Sequence, residues 1–249
     1  MLKAILFDLY LTLIDLSEAR PEYLHKAAWK TLHNLGHSSD YGMFVEVIGR
    51  VYQKWRKYRV ENLVEVNPRL LWFEILTKMK IKANPYIVEE IVQERHRVFK
   101  ERISLYDDVE DSLKLLKKHY RYLVIVSNSS DGFFARDDIR YLGLDQHIDL
   151  IVTSADLDSR KPDPKIFTHT LEILDVGPKQ SVFVGDDLAA DIGGAKNVGM
   201  YAIYLNRKNE EIDSDIRPDA QIPNLSQLQE ALSDIERRDQ TRGMKRERI

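Results

Sequence analysis

Residues 3–13 read K-A-I-L-F-D-L-Y-L-T-L. Ala4, Ile5, Leu6 and Phe7 form an unbroken apolar run, as expected of a parallel strand covered on both faces, and the run stops on the carboxylate of Asp8. Open α/β sheets collect their ligands beyond the carboxyl ends of the strands, so Asp8 falls where such a protein does its chemistry. Taken singly, the segment could equally be an ordinary strand closed by a turn aspartate. Three later segments decide against that reading.

From Tyr106 onward, strand patterns alternate with helical ones, the signature of βαβ units and a parallel sheet. Strands are predicted at 122–126, 148–152, 182–184, 201–205 and, briefly, 219–222. Helices are predicted at 111–119, 134–142, 163–174, 189–198 and 225–237. Two of the strands end as pointedly as the first. One runs into Ser127-Asn128-Ser129-Ser130 and the other into Gly185-Asp186-Asp187. Parallel strands bring these ends to one edge, where several carboxylates at close range repel one another unless a cation lies among them. Oxygen donors of this kind suit Mg²⁺, which takes one or two carboxylates together with waters and phosphate oxygens. Lys161, in the proline-stiffened loop Ser159-Arg160-Lys161-Pro162-Asp163-Pro164, adds a positive charge able to offset the nucleophile and an anionic substrate together.

Between the first strand and this alternating region, residues 17–103 show no strand pattern and four helical ones. The first runs through Leu24, Ala27, Ala28, Leu32 and Leu35 to a stop at Gly36, and the second starts at the cap Asp40. Asn67-Pro68 and Asn84-Pro85 open the other two, with proline at the first helical position. Trp29, Trp55, Trp72 and Phe73 are expected in the core of this helical insert. The expected architecture is therefore an α/β protein: a Rossmann-like core of residues 1–16 and 104–238, a helical cap of 17–103 inserted after the first strand, and a disordered basic tail at 239–249.

The 249 residues are 43% hydrophobic and 31% charged, with a net charge of −3, which places the chain among globular proteins and gives no basic footprint for nucleic acid. There is no cysteine, so disulfides, thiol nucleophiles and thiolate metal sites are excluded. Asp8 interrupts the N-terminal apolar run before a signal-peptide core forms, and no stretch approaches a membrane span. A cytoplasmic protein without a membrane partner is expected. The seven histidines show no metal-ligand spacing and are expected at the surface or in packing, and oligomeric state cannot be read from the sequence.

With these segments in order, the chain resembles the haloacid dehalogenase-like hydrolase superfamily. The likeness is carried by Phe7 to Leu13, by Val126-Ser127-Asn128, by Lys161-Pro162-Asp163-Pro164-Lys165-Ile166-Phe167 and by Val184-Gly185-Asp186-Asp187-Leu188-Ala189-Ala190-Asp191-Ile192. It implies that Asp8 is a nucleophile forming a covalent aspartyl intermediate, with Ser127 and the Asn128 backbone holding the transferring group and Lys161 offsetting charge. It further implies that Asp8, the Tyr10 carbonyl, Asp186 and Asp187 hold Mg²⁺, that Asp191 orders the loop, and that Thr12 orients the Asp8 segment. The implied partner is a small phosphorylated metabolite, a triose or sugar phosphate such as glyceraldehyde 3-phosphate by analogy alone.

Tyr10 breaks the pattern. Phosphatases of the superfamily carry a second aspartate there, which protonates the leaving alkoxide and then activates water. A phenol with a reference pKa of about 10 donates a proton but is a poor base at neutral pH. Tyrosine at this place is what the 2-haloacid dehalogenases show, and a halide needs no proton. Those enzymes lack the Gly-Asp-Asp arrangement, however, and use a cap arginine soon after the nucleophile, whereas here no arginine stands between Arg20 and Arg50. Three activities thus remain open: a Mg²⁺-dependent phosphohydrolase, a 2-haloacid dehalogenase, and a catalytically weak protein binding a metabolite or a partner.

Overall fold

A computed structural model describes residues 1–211 and 214–246. Strand β1 (Ala4–Phe7) lies at the centre of the main sheet. It pairs in parallel with β4 (Tyr122–Ser127) on one side and β6 (Ser181–Gly185) on the other. Strand β5 (Leu150–Thr153) extends the sheet beyond β4, and β7 (Tyr201–Leu205) and β8 (Ala220–Ile222) extend it beyond β6, all in parallel.

Alternation of side chains explains why β1 must be apolar throughout. Ile5 and Phe7 pack on one face with Leu113 of α5 (Val109–Leu116) and Leu232 of α10 (Leu228–Arg246). Ala4 and Leu6 pack on the other with Ile166 and Phe167 of α8 (Pro164–Leu174). Phe7 stands level with Ile125 and Val184, so the residues that follow in each strand emerge side by side. The Asp8 N–H still donates to the Val184 carbonyl at 2.9 Å, which fixes the loop after β1 to β6.

Helices α1 (Pro21–Asn34), α2 (Tyr41–Asn62), α3 (Pro68–Lys78) and α4 (Pro85–Lys100) occupy the predicted helical stretch, with Asp40, Asn67 and Asn84 capping α2 to α4. They share their own apolar cluster, which includes Leu32, Phe44, Ile48, Trp72, Ile75 and Ile91. Where the chain leaves the sheet for these helices and where it returns, β2 (Ile14–Asp15) and β3 (Ser104–Leu105) pair antiparallel. Two residues per strand are too few to show a period of two, and the sequence reading missed them.

Two further differences are local. The predicted helix 189–198 is a π-helical turn, Leu188–Gly193, followed by the short α9 (Gly194–Asn197). The final helix begins at Leu228 and reaches Arg246, so the backbone predicted as disordered is helical that far; residues 247–249 lie outside the described residues. Leu228, Leu232 and Ile235 anchor that helix against the core, and the Glu-, Arg- and Lys-rich continuation is built of good helix formers. Among the described residues no helix is long and apolar enough to cross a membrane.

Candidate active site

The carboxyl edge of the sheet gathers Asp8 after β1, Ser127 at the end of β4, Lys161 from the loop before α8, and Asp186 after β6. Lys161 is the hub. Its ammonium group is fully inside the protein and donates to Asp8 Oδ1 at 2.6 Å and to the Val126 carbonyl at 2.8 Å, with Asp191 Oδ1 at 2.7 Å. Asn128 locks the Lys161 backbone in place, its amide donating to the Lys161 carbonyl at 3.0 Å and its side-chain oxygen accepting the Lys161 N–H at 2.8 Å. The Asn128 side chain therefore belongs to the lysine loop and leaves only its backbone to face the site. The Ser127 hydroxyl is buried and has no hydrogen-bond partner among the described residues, a donor free for an incoming group.

Asp8, Asp186 and Asp191 each bring a carboxylate oxygen into a group no wider than 4.8 Å. Burial pushes Asp8 above the usual carboxylate range against the pull of Lys161, and Asp186 adds to the rise. Burial and then Asp191 raise Asp186 to about 6, although the Thr12 hydroxyl stabilises its charge. Asp191 rises to about 7, driven by burial and by Asp8, with Lys161 opposing. For Lys161 the same burial works against the charge, but the two carboxylates outweigh it and its pKa lies above the ordinary lysine value. Three carboxylates and one ammonium leave two negative charges in a buried space. Opposed oxygens on a Mg²⁺ ion with bonds of about 2.1 Å stand about 4.2 Å apart, close to the span seen here, so the donor set fits that ion.

The acidic residues are not distributed as the sequence suggested. Asp187 turns its carboxylate to accept the N–H groups of Ala189 and Ala190, both at 2.8 Å, and so caps the π-helical turn. Asp191 takes the inward place: the extra residue of the π turn swings it under the sheet edge, where it accepts the Asp187 N–H at 3.0 Å and reaches Lys161. Gly185 makes room for it, since a Cβ there would lie 2.2 Å from Asp191 Oδ2. Thr12, buried, donates to Asp186 Oδ1 at 3.0 Å, so its hydroxyl holds an acid of the cluster. Leu11, with φ of 66°, makes the tight turn that brings Thr12 inward.

Tyr10 faces away from this cluster. Its hydroxyl donates to Asp138 Oδ2 at 2.7 Å, and His96 of α4 meets the other Asp138 oxygen at 2.8 Å. Burial, and then the Asp138 carboxylate, push the Tyr10 phenol well above its usual pKa, so it keeps its proton at any neutral pH. Asp138, in α6 (Gly132–Tyr141), and His96 were both outside the sequence reading, which put His96 with the packing histidines. No motif marks Asp138: it looks like one of two adjacent helix-surface acids, and only the structure shows it to be 1% exposed.

Next to Tyr10, between the helical layer and the sheet edge, lies a cavity of about 330 Å³. Tyr52, Trp72 and Phe99 wall it on the helical side and Ser129 and Ser130 on the sheet side. A buried loop contact seats the helices over it. Glu65, between α2 and α3, accepts from Ser154 at 2.8 Å and Ser130 at 3.0 Å and stands 3.3 Å from Arg160.

A doubly covered parallel sheet whose strand ends present a lysine-bound aspartate, an orphan hydroxyl and two further acids, Asp191 buried and Asp186 partly so, defines a class of α/β hydrolases. The haloacid dehalogenase-like hydrolase family model matches residues 2–199, and the chain belongs to that family. It is 29% identical to glyceraldehyde 3-phosphate phosphatase of Pyrococcus furiosus over 238 residues, covering 93% of each chain. The haloacid dehalogenase-like hydrolase domain-containing protein 3 of Mus musculus is 34% identical over 134 residues, and that match spans 52% of either chain. Among solved structures, a 2-haloacid dehalogenase from Pseudomonas syringae pv. Tomato DC3000 superposes with a TM-score of 0.73 at 28% identity, covering 94% of this chain and 99% of that one. The protein is accordingly an enzyme, a hydrolase of this family.

Proposed function

We propose that this hydrolase is a Mg²⁺-dependent phosphatase of a small phosphorylated metabolite, with triose and sugar phosphates such as glyceraldehyde 3-phosphate as the first candidates, working in the cytoplasm without nucleic-acid or membrane partners. The observation that carries the reading is the cluster of Asp8, Asp186 and Asp191 around a single, fully buried lysine, whose two uncompensated charges call for a divalent cation. The similarity to a glyceraldehyde 3-phosphate phosphatase over nearly the full chain supports it. Asp8, Asp186 and Asp191 would hold the ion with the Tyr10 carbonyl, and bound there it supplies Lewis-acid neutralisation of phosphoryl oxygens.

The chain's own groups do the rest. An Asp8 oxygen attacks phosphorus as the bond to the leaving alkoxide breaks, giving an acyl phosphate on Asp8. Lys161 holds the other Asp8 oxygen and orients the attack, while Ser127 donates its free hydroxyl to a phosphoryl oxygen. Water then attacks phosphorus, releasing phosphate and restoring Asp8. Helices α1 to α4, residues 17–103, act as the cap that excludes bulk water, over a core of residues 1–16 and 104–238.

A second reading, 2-haloacid dehalogenase, is favoured by Tyr10 and by the solved dehalogenase that superposes on the chain. The two separate in one experiment. Phosphate release from a panel of small phosphate monoesters should require Mg²⁺ and vanish in Asp8→Asn. Chloride release from 2-chloropropionate in EDTA, with no phosphatase activity, would establish the rival instead.

A further inference from the structure

Arg95 of α4 reaches into the cavity beside Tyr10, and among the described residues no carboxylate pairs with it. One nitrogen, Nη2, donates to the Tyr52 hydroxyl at 3.2 Å; the other, Nη1, is buried and has no partner among the described residues. The guanidinium lies over the Trp72 ring at 5.1 Å and near the Tyr52 ring at 5.8 Å, so aromatic faces hold it in place. The two acids of the cavity wall are engaged elsewhere. Asp131 takes Arg69 at 2.7 Å and caps α6, and Asp138 takes Tyr10 and His96. His25 offers no counter-charge, since an imidazole is at most cationic, and burial and then Arg95 itself push its pKa down. A desolvated guanidinium nitrogen with nothing to donate to is unfavourable unless something else arrives to accept from it.

We propose that Arg95 is a specificity residue: the substrate carries a second anionic group, a carboxylate or a second phosphate, which Arg95 and the Tyr52 hydroxyl bind while the reacting phosphate lies at Asp8. This rests on the phosphatase reading and narrows it. The cavity runs up to the segments that carry Asp8 and Ser127: Tyr10, two residues after Asp8, and Ser129 and Ser130, just beyond Asn128, are among its walls. A guanidinium fork suits either anion, and its flat faces already lie against the aromatic wall. Neutral phosphate esters of the same length would fill the cavity and leave Nη1 unpaired, which gives discrimination against them.

The experiment compares matched pairs on wild type, Arg95→Lys and Arg95→Met in Mg²⁺: carboxymethyl phosphate against ethyl phosphate, 3-phosphoglycerate against glycerol 3-phosphate, and propane-1,3-diol bisphosphate against its monophosphate. Wild type should favour the anionic partner by about 100-fold in kcat/KM, mostly through KM, as expected for a buried charge contact. The preference should fall to a few-fold in Arg95→Met and to an intermediate value in Arg95→Lys. The larger ratio, carboxylate or second phosphate, identifies the anion. Equal rates within each pair in wild type, or equal losses on both members in Arg95→Met, would overturn the proposal. Should no monoester be hydrolysed, the phosphatase reading fails separately, and calorimetry with 3-phosphonopropionate and propylphosphonate decides the rest: a preference for the carboxylated probe that Arg95→Met abolishes upholds the anion site, and equal binding removes it. If Arg95→Met does not fold, Arg95→Lys carries the comparison, and no change in it from wild-type discrimination would count against the guanidinium.

Discussion

For the proposed phosphatase reaction, Tyr10 occupies the position from which water would be activated. Its phenol is committed to Asp138 and stays protonated, so no base of the ordinary kind stands at this position to activate water against the acyl phosphate. Formation of the intermediate should then outrun its hydrolysis, and rapid mixing should show a burst of alcohol product close to one per active site, followed by a slow steady state. Restoring the aspartate is not a one-residue repair. In Tyr10→Asp the new carboxylate would be set toward the buried Asp138, and like charges at that range raise a carboxyl's pKa instead of leaving it poised as a base. Tyr10→Asp alone should therefore gain little, whereas Tyr10→Asp with Asp138→Asn should speed the steady state by roughly 10² or more, the range a general base supplies. Equal rates in the single and double variants would show that Asp138 does not govern the position.

At the scale of elements, what was legible in the sequence follows from how each signal arises. The apolar runs of β1, β4 and β6 and the aspartate and asparagine caps of α2 to α4 are local, and each of those elements lies where the pattern put it. Asp8, Lys161 and Asp186 sit at strand and loop ends that the same patterns locate, so their meeting could be anticipated. The exchange of Asp187 for Asp191 could not, because it depends on one extra residue in a helical turn, and Arg95 and His96 come to the cavity only through the way α4 packs on the sheet. Glu65 is another such case. Its 5%-exposed side chain lies between Arg59 at 3.6 Å and Arg160 at 3.3 Å, and the Leu63 carbonyl beside it accepts the Arg160 N–H at 3.0 Å. Glu65→Ala would leave two guanidinium groups facing each other where the helices rest on the sheet, a loss of about 3–5 kcal/mol for a broken buried pair. Thermal denaturation should fall by roughly 10 °C, limited proteolysis should cut faster near Leu63, and Glu65→Gln, which keeps the serine contacts, should be milder. Unchanged melting and cleavage in Glu65→Ala would mean that this contact does not hold the helices down.

Over the whole molecule, the acid cluster links stability, pH and metal. Asp186 and Asp191 titrate at about 6 and about 7, against 3.8 for an ordinary aspartate. Through these two groups the folded metal-free protein holds protons between pH 4 and 7 that the unfolded chain has lost, so their contribution to stability falls as pH rises through that window. Lys161, raised above the ordinary 10.5, contributes evenly across it and does not alter the slope. A divalent ion competes with those protons, so it binds weakly at pH 5 and releases protons as it binds near pH 6. At pH 8 nothing is left to displace, and Mg²⁺ at about 100 times its dissociation constant stabilises by about 2.7 kcal/mol, worth roughly 5–10 °C in Tm. Melting curves in EDTA and in Mg²⁺ should consequently diverge from pH 5 to pH 8, and taking their difference cancels every other titrating group. Calorimetry at pH 6 in buffers of different ionisation enthalpy should report net proton release, and Asp191→Asn should remove most of both effects. A Mg²⁺ shift of the same size at pH 5 and pH 8 would mean that the ion does not sit among these carboxylates, and the phosphatase reading would lose its support.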